Sequence, residues 1–271
     1  VLDEDKHEMF VTDNETRKMF VYNLDGKYKR SFKFPKNAMY KKIYNFDKQN
    51  LICYDFSSSN EGQSFAIISK QDGSITQEIQ IPFEEIKTIY IFLRDEANDM
   101  TYGAAPYIYP IIPVPNNNWI LVEPSSDTIY SYSTEYEMKP FLTRVPPIQS
   151  MNPEVFLLPS VVTDRYCFME IVKKEYSFST GKGFPSTFLM YDRQEKSIFR
   201  YTVNNADYSY KNIVNMVLSP ESSEVAFYHK IEPSGLVDSY KKGELKGKLK
   251  EIASKLDPED NPVIMLIKHK K

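Results

Sequence analysis

Residues 7–35 read HEMFVTDNETRKMFVYNLDGKYKRSFKFP, and this stretch decides the fold. It holds three runs rich in aromatic and aliphatic residues, which are separated by short polar segments. Asp25-Gly26, between the second run and the third, is a strong hairpin signal because tight hairpin turns need residues that tolerate a positive φ. The stretch therefore predicts three antiparallel strands that follow one another along the chain.

The same order of runs recurs four more times. The central, most apolar run of each copy is MFVYN (19–23), FAIIS (65–69), TIYSYS (128–133), TFLMYD (187–192) or VIMLIK (263–268). One further run follows the first four of these, and two more precede each of them, so a repeat predicts four strands, A to D. The last repeat lacks its D strand. The repeats are predicted to cover approximately 1–35, 39–82, 109–146, 156–204 and 213–271.

Burial explains why such repeats pack radially. One twisted four-stranded sheet cannot cover both of its own faces, so neighbouring sheets must stack, and a closed ring leaves only short edges. The sequence therefore predicts an all-β fold, a β-propeller of four-stranded antiparallel blades that forms one domain over 1–271. A stack of β-sandwiches is the alternative. The A-to-D order, which has no evident Greek-key crossover, favours the propeller.

The last repeat contains a helical pattern. In residues 240–256, leucine, isoleucine and alanine recur at helical spacing with lysines between them, and Asp257-Pro258 marks the end. We predict one helix inserted in the last blade, with its apolar stripe packed on the propeller. Because its polar face is rich in lysine, a membrane-surface role is the alternative.

Composition restricts the partners and the covalent chemistry. The 34 basic and 37 acidic residues give a formal charge of −3, which argues against binding of nucleic acid. No apolar run is long enough to cross a membrane. Cys53 and Cys167 lie in apolar runs, so we predict two buried thiols; a disulfide is the alternative, and cysteines on non-adjacent blades would lie too far apart to form one.

Three stretches resemble a known family. They are VTDNETRKMFVYNLDGKYKRSF (11–32), DTIYSYSTEYEMKPFLTRVP (127–146) and GELKGKLKEIASKLDPEDNPVIMLIKHKK (243–271). They are similar to the six-bladed β-propeller proteins common in Bacteroidetes, and the likeness spans nearly the whole chain. It implies export to the periplasm or to the outer membrane and cell surface, with a possible lipid anchor upstream of Val1. It also implies about one further blade upstream, which would supply the strand that the last repeat lacks.

The candidate ligand site lies in long loops on one face of the predicted propeller. The D-to-A connections and the B–C turns open on that face, and three of the longest insertions, 83–109, 173–186 and 232–262, fall among them. Aromatic platforms with polar neighbours suit a sugar or a peptide. The candidate binding residues are Arg94, Asp95, Tyr102, Tyr107, Tyr109, Tyr176, Phe178, Lys182 and Phe184. The alternative is that these aromatic residues pack the loops onto the blades.

No motif in the sequence predicts catalysis, a metal site or a cofactor. A nucleophile elbow, zinc-ligand spacings and an EF-hand loop are missing, and the three histidines, His7, His229 and His269, fit surface or edge positions. We therefore predict a non-catalytic propeller of the bacterial envelope that binds a glycan, a peptide or a partner protein. The alternative is a hydrolase, glycan-active or lactonase-like, with carboxylates or a metal at the central channel. A third hypothesis is a structural subunit.

Overall fold

The computed structural model describes residues 1–56, 65–114, 118–214, 216 and 227–267. Four sheets, blades 1 to 4, contain four antiparallel strands each, and the strands of every sheet follow chain order. Blade 1 comprises β1 (Leu2–Asp3), β2 (Glu8–Asp13), β3 (Lys18–Asn23) and β4 (Tyr28–Lys33). Blade 2 comprises β5 (Tyr40–Asn45), β6 (Asn50–Asp55), β7 (Phe65–Ser69) and β8 (Ile75–Ile79). A separate hairpin follows, formed by β9 (Ile91–Asp95) and β10 (Met100–Ala104).

Blades 3 and 4 continue the pattern. Blade 3 comprises β11 (Ile111–Val114), β12 (Asn118–Leu121), β13 (Thr128–Ser133) and β14 (Met138–Thr143). Blade 4 comprises β15 (Val155–Val162), β16 (Tyr166–Lys173), β19 (Ser186–Asp192) and β20 (Ser197–Arg200). Between β16 and β19 lies a short hairpin of β17 (Tyr176–Ser177) and β18 (Lys182–Gly183). The chain then forms β21 (Val203–Asn205) with β22 (Asn212–Val214), and β23 (Phe227–Ile231) with β24 (Val263–Ile267).

The blades pack face to face in chain order. Leu51 and Cys53 of β6 join a core shared with blade 1, whereas Ile52 and Tyr54 join a core shared with blade 3. This division follows from the strand itself, because successive side chains point to opposite faces of a sheet. The same alternation holds in blade 3, where Trp119 and Leu121 point toward blade 2, and Ile120 and Val122 point toward blade 4. In blade 4, Cys167 and Met169 point toward blade 3, and Phe168 points toward β24. The strands β6, β12 and β16 are therefore apolar on both faces, as strands between two neighbouring blades must be.

The hairpin turns carry the expected residues. Gly26 and Gly73 both adopt a positive φ, as the Asp-Gly turns predict. At Gly73 a side chain would also collide with the ring of Phe32 from blade 1. The predicted all-β propeller of four-stranded antiparallel blades is thus confirmed.

Three details differ from the sequence prediction. The 83–109 connection contains the β9–β10 hairpin, and the end of the fourth predicted repeat (156–204) divides between β20 and β21. Residues 215 and 217–226, near the start of the predicted last repeat (213–271), lie outside the described residues. Two helices, α1 (Pro233–Lys241) and α2 (Gly247–Ala253), stand where one was predicted.

Gly243 explains why the helical segment divides in two. Its φ is +72°, and its N–H donates to the carbonyl of Tyr240 at 3.0 Å, which ends α1. Leu245 then forms a β-bridge with Tyr208 before α2 begins. The apolar positions of both helices are buried against Ile231 and against other residues of this region. The helical segment therefore packs on the propeller through its apolar side.

Both cysteines are buried free thiols, as predicted. Burial raises the pKa of the Cys167 thiol to about 12 and that of Cys53 well above its usual range. Within the described ranges, no helix is long and apolar enough to cross a membrane.

Candidate functional site

A cavity of about 280 Å³ lies between blades 2 and 3. Its wall includes the start of β5, the end of β6 and the turn after β12, so it opens on the face that carries the B–C turns and the D-to-A connections. Two stretches of the 83–109 connection cover it, 86–90 and 106–108. The volume is at the small end of the range for ligand pockets, about 300–1,000 Å³.

A β-bulge brings two successive lysines to the cavity. Tyr40 pairs with Asp55 and Lys42 pairs with Tyr54, so Lys41 is an extra residue on β5. In a regular strand, neighbouring side chains point to opposite faces, but a bulge redirects one of them. Both Lys41 and Lys42 consequently line the same cavity.

Aromatic rings form much of the lining. The Lys41 ammonium lies 3.6 Å from the centre of the Phe56 ring, which is a close cation–π contact. The Phe56 ring meets the Tyr90 ring edge-on at 6.1 Å, and burial raises the pKa of the Tyr90 phenol. Tyr54 and Tyr107 complete the aromatic part of the wall. The cavity therefore presents ring surfaces beside fixed positive charge.

A buried serine fixes the covering loop to blade 3. Ser125 Oγ accepts a hydrogen bond from the Lys87 N–H at 2.9 Å and lies 3.3 Å from the Lys87 carbonyl, to which it donates. The Ser125 N–H in turn donates to Glu123 Oε1 at 3.1 Å. Glu123 is the acidic residue that lines the cavity, and Ser125 and Glu123 are both buried. The wall is thus held by hydrogen bonds to a rigid blade.

The predicted site residues fall in three places, of which the first is the cavity. Tyr107 lines it and is 61% exposed. The ring of Tyr109 lies 5.0 Å from that of Tyr107, but Tyr109 itself is buried in the core between blades 3 and 4. Lys42 Nζ lies 5.9 Å from the Tyr109 ring. Tyr109 therefore supports the wall from behind.

The second place is the β9–β10 hairpin, which carries Arg94, Asp95 and Tyr102 on strands outside the cavity lining. Arg94 pairs with Asp99 and donates to Thr101 Oγ1 at 3.0 Å. Asp95 accepts hydrogen bonds from the turn that follows it, including one from Asn98 Nδ2 at 2.8 Å, which holds its pKa below the usual range. The polar groups of Arg94 and Asp95 are therefore engaged within the hairpin.

The third place is the β17–β18 hairpin. The Tyr176 ring lies 4.9 Å from that of Phe178 and 5.4 Å from that of Phe184, and Lys182 is exposed on β18. Phe184 also packs on a core cluster that contains Ile89. Since Ile89 lines the cavity, this hairpin contacts the cavity wall from outside.

Sequence reasoning missed five of the residues that line the cavity, namely Lys41, Lys42, Phe56, Tyr90 and Glu123. The lysines and Phe56 belong to blade 2 and read as strand residues, while Tyr90 and Glu123 read as connection and turn. One signal was available, because the A strand of a blade is usually apolar and YKKIYN (40–45) places two lysines in it. The bulge that turns both of them toward one cavity arises from pairing with β6, which a sequence pattern does not reveal.

The fold and the cavity together define a propeller with an aromatic pocket between two blades. A family model described as a 6-bladed beta-propeller matches residues 1–221, and the chain belongs to that family. A search of curated proteins found no match.

A solved structure shares the fold, and two others are more distantly similar. A Bacteroides fragilis protein named "Putative exported protein" aligns over 100% of this chain and 76% of its own, with 15% identity and a TM-score of 0.63. Virginiamycin B lyase from Staphylococcus aureus has 13% identity, covers 74% of this chain and 68% of its own, and has a TM-score of 0.34. The N-terminal domain of Nup159 has 9% identity, covers 87% of this chain and 66% of its own, and has a TM-score of 0.38. The last two scores are too low to support a conclusion about either fold or function.

In the described part of the chain, no group of three or more His, Cys, Asp or Glu side chains is arranged to hold a metal ion. His7 and His229 are exposed, and His269 lies outside the described residues.

Proposed function

We propose that this chain is a non-catalytic binding propeller that holds one small unit of a glycan in the cavity between blades 2 and 3. The observation that carries this proposal is the lining: four aromatic rings surround a space of about 280 Å³, with ammonium, carboxylate and hydroxyl groups among them. A pyranose ring offers C–H faces to aromatic rings and hydroxyls to polar groups, so it matches both parts of the lining.

A glycan fits the lining better than a peptide does. Peptides are commonly recognised through their backbone, by pairing with a sheet edge or with a cluster of N–H groups. Three prolines line this cavity, Pro106, Pro110 and Pro124, and proline has no N–H to donate. The available polar groups are mainly side chains, which suit the hydroxyls of a sugar.

The compartment is part of the same proposal. We place the protein in the cell envelope, in the periplasm or at the outer membrane, with a lipid anchor upstream of Val1. The name of the Bacteroides fragilis neighbour and the family resemblance support export. Globomycin treatment of cells that express the full gene tests the anchor, because accumulation of an unprocessed precursor is expected of a lipoprotein and unchanged processing would reject it.

A thermal-shift screen tests the binding function. Small saccharides, short peptides and divalent cations are each added to the protein, because any ligand that binds the folded state raises its stability. A saccharide at about 100 times its Kd should stabilise the protein by about 2.7 kcal/mol. In a chain of this size, that corresponds to roughly 5–10 °C in Tm. Peptides and cations should give no shift.

Tyr107→Ala supplies the variant for this screen, with Tyr28→Ala as its control. The two tyrosines are exposed to 61% and 59%, and Tyr28 lies on blade 1, away from the cavity. Tyr107→Ala should reduce the saccharide shift while leaving the Tm of the free protein nearly unchanged; Tyr28→Ala should retain the shift. Equal shifts in both variants, or stabilisation by peptides alone, would reject the proposal. Release of shortened saccharides during incubation would favour the hydrolase alternative.

A further inference from the structure

We infer that the saccharide held in this cavity carries an anionic group, a carboxylate or a sulfate ester, which is bound by Lys41 and Lys42. This inference rests on the proposed glycan-binding function and names the chemical class of its ligand. It follows from the charges that line the cavity.

The ammonium groups of Lys41 and Lys42 have no acidic partner among the residues that the structure describes. Within residues 1–56, 65–114, 118–214, 216 and 227–267, no carboxylate lies within 4.0 Å of either one. Both lie near aromatic rings instead: Lys41 Nζ is 3.6 Å from the centre of the Phe56 ring, and Lys42 Nζ is 5.9 Å from that of Tyr109. Two like charges held on one bulge and beside aromatic rings repel each other, and an anion relieves that repulsion.

The other charges at the cavity do not cancel this excess. Lys87 is paired with Glu85 at 3.0 Å, so its charge is balanced locally. Glu123 lines the cavity and accepts a hydrogen bond from its own turn, through the Ser125 N–H. Among the lining residues that the structure describes, positive charge therefore exceeds negative charge, and the excess is located at the bulge.

The residue type sets how finely the anion is recognised. Arginine binds planar carboxylates through two parallel N–H donors, whereas the lysine ammonium acts as a point charge with three rotatable donors. Two lysines can therefore bind either a carboxylate or a sulfate. The aromatic rings and the small volume would then select the sugar that carries it.

Calorimetric titration with matched trisaccharides tests the inference. Glucose, galactose and mannose trisaccharides are each prepared in three forms that differ at C6: the neutral hydroxymethyl, the uronate and the 6-sulfate. On at least one backbone, the uronate or the sulfate should bind about tenfold more tightly than the neutral form, as a charge-assisted hydrogen bond provides. A preference for the uronate or for the sulfate identifies which anionic group the cavity recognises.

Lys41→Gln/Lys42→Gln is the variant for this titration, and Lys48→Gln is the control. Lys48 is exposed in the turn at the opposite end of the β5–β6 hairpin. The double variant should lose the tenfold preference and bind the neutral form as before, while the control keeps the preference. Raising the salt concentration from about 0.05 M to about 0.5 M should weaken the anionic forms alone, because salt screens exposed charges.

The outcomes separate the two proposals. If neutral forms bind the unmodified protein as tightly as anionic forms, the anion inference is overturned and glycan binding stands. If the double variant keeps its preference for anionic forms, the assignment to Lys41 and Lys42 is wrong. If no trisaccharide binds in any form, both proposals fail.

Discussion

The interface between blades 1 and 2 and the cavity between blades 2 and 3 differ in how they hold charged side chains. At the first interface, Lys70 is 2% exposed and lies 2.6 Å from Asp3, and its ammonium also donates to the Asp47 carbonyl at 2.7 Å. Beside it, Arg30 holds Glu8 through two hydrogen bonds of 2.7 and 2.9 Å. At the cavity, Lys41 and Lys42 have no such partners among the described residues.

The difference separates structural charge from functional charge. A charge that is buried for stability must be paired, because an unpaired one costs several kcal/mol of desolvation. A charge that awaits a ligand can stay unpaired only where water still reaches it, as at the open mouth of the cavity. The contrast thus predicts that substitutions at the first interface lower stability, whereas substitutions at the cavity lower binding.

The largest effect is expected at Lys70. Lys70→Met removes the ammonium and leaves the buried Asp3 carboxylate without its partner, which should lower the free energy of unfolding by about 3–5 kcal/mol. Urea denaturation measures this, with Lys48→Met as the exposed control, for which a change within about 0.5 kcal/mol is expected. A loss below about 1 kcal/mol at Lys70 would remove the contrast between the two regions.

Glu8→Gln should have the next largest effect, and it should depend on pH. The hydrogen bonds from Arg30 chiefly, with those from Lys29, lower the pKa of Glu8 from 4.5 to about 2 in the folded protein. Because the folded pKa lies below the unfolded one, this contribution is fully present above about pH 4.5 and is lost as the pH falls toward 2. We expect a loss of about 2–3 kcal/mol at neutral pH.

Denaturation at several pH values checks the Glu8 prediction. The unmodified protein and Glu8→Gln should differ most near neutral pH and converge toward pH 2. A constant difference between them across this range would show that Glu8 stabilises the fold by packing rather than by its charge.

Ser125→Ala should give a smaller loss of stability and a loss of binding together. The substitution leaves the Lys87 N–H and carbonyl without their partner, which should cost about 1–2 kcal/mol. Because these groups fix the loop that covers the cavity, saccharide affinity should fall as well. Calorimetry beside urea denaturation measures both quantities, and unchanged affinity would show that the covering loop is not part of the site.

The smallest effect on stability is expected from Lys41→Gln/Lys42→Gln. The substitutions remove both the repulsion between the two charges and the Lys41–Phe56 cation–π contact, so the free energy of unfolding should change by less than about 1 kcal/mol. Urea denaturation checks this. A loss above about 2 kcal/mol would mean that these lysines stabilise the blade, and the contrast with Lys70 would no longer hold.

The fold could be predicted from the sequence because each blade follows from local patterns. Apolar runs of strand length and two Asp-Gly turns indicate successive antiparallel strands, and the alternation of side chains then sends Leu51 and Ile52 to different neighbours. The division of the C-terminal helical segment escaped prediction, because the helical spacing of residues 245–256 was extended back to 240, across Gly243 and Gly247, which both adopt a positive φ, the first after α1 and the second at the start of α2.

The candidate site could be predicted only in part. The face and the 83–109 connection were indicated by loop length, and Tyr107 does line the cavity. The remaining wall comes from residues far apart in sequence, such as Lys41 and Glu123, which only the packing of blade 2 against blade 3 brings together. No spacing along the chain contains that information.

Hydrogen–deuterium exchange with and without the tightest-binding trisaccharide tests most directly whether the cavity between blades 2 and 3 is the ligand site. We expect slower exchange in 86–90 and 107–109 when the saccharide is bound, with no change in the β17–β18 hairpin, residues 176–183. Slower exchange confined to 91–104 or to 176–183, with 86–90 unaffected, would contradict it.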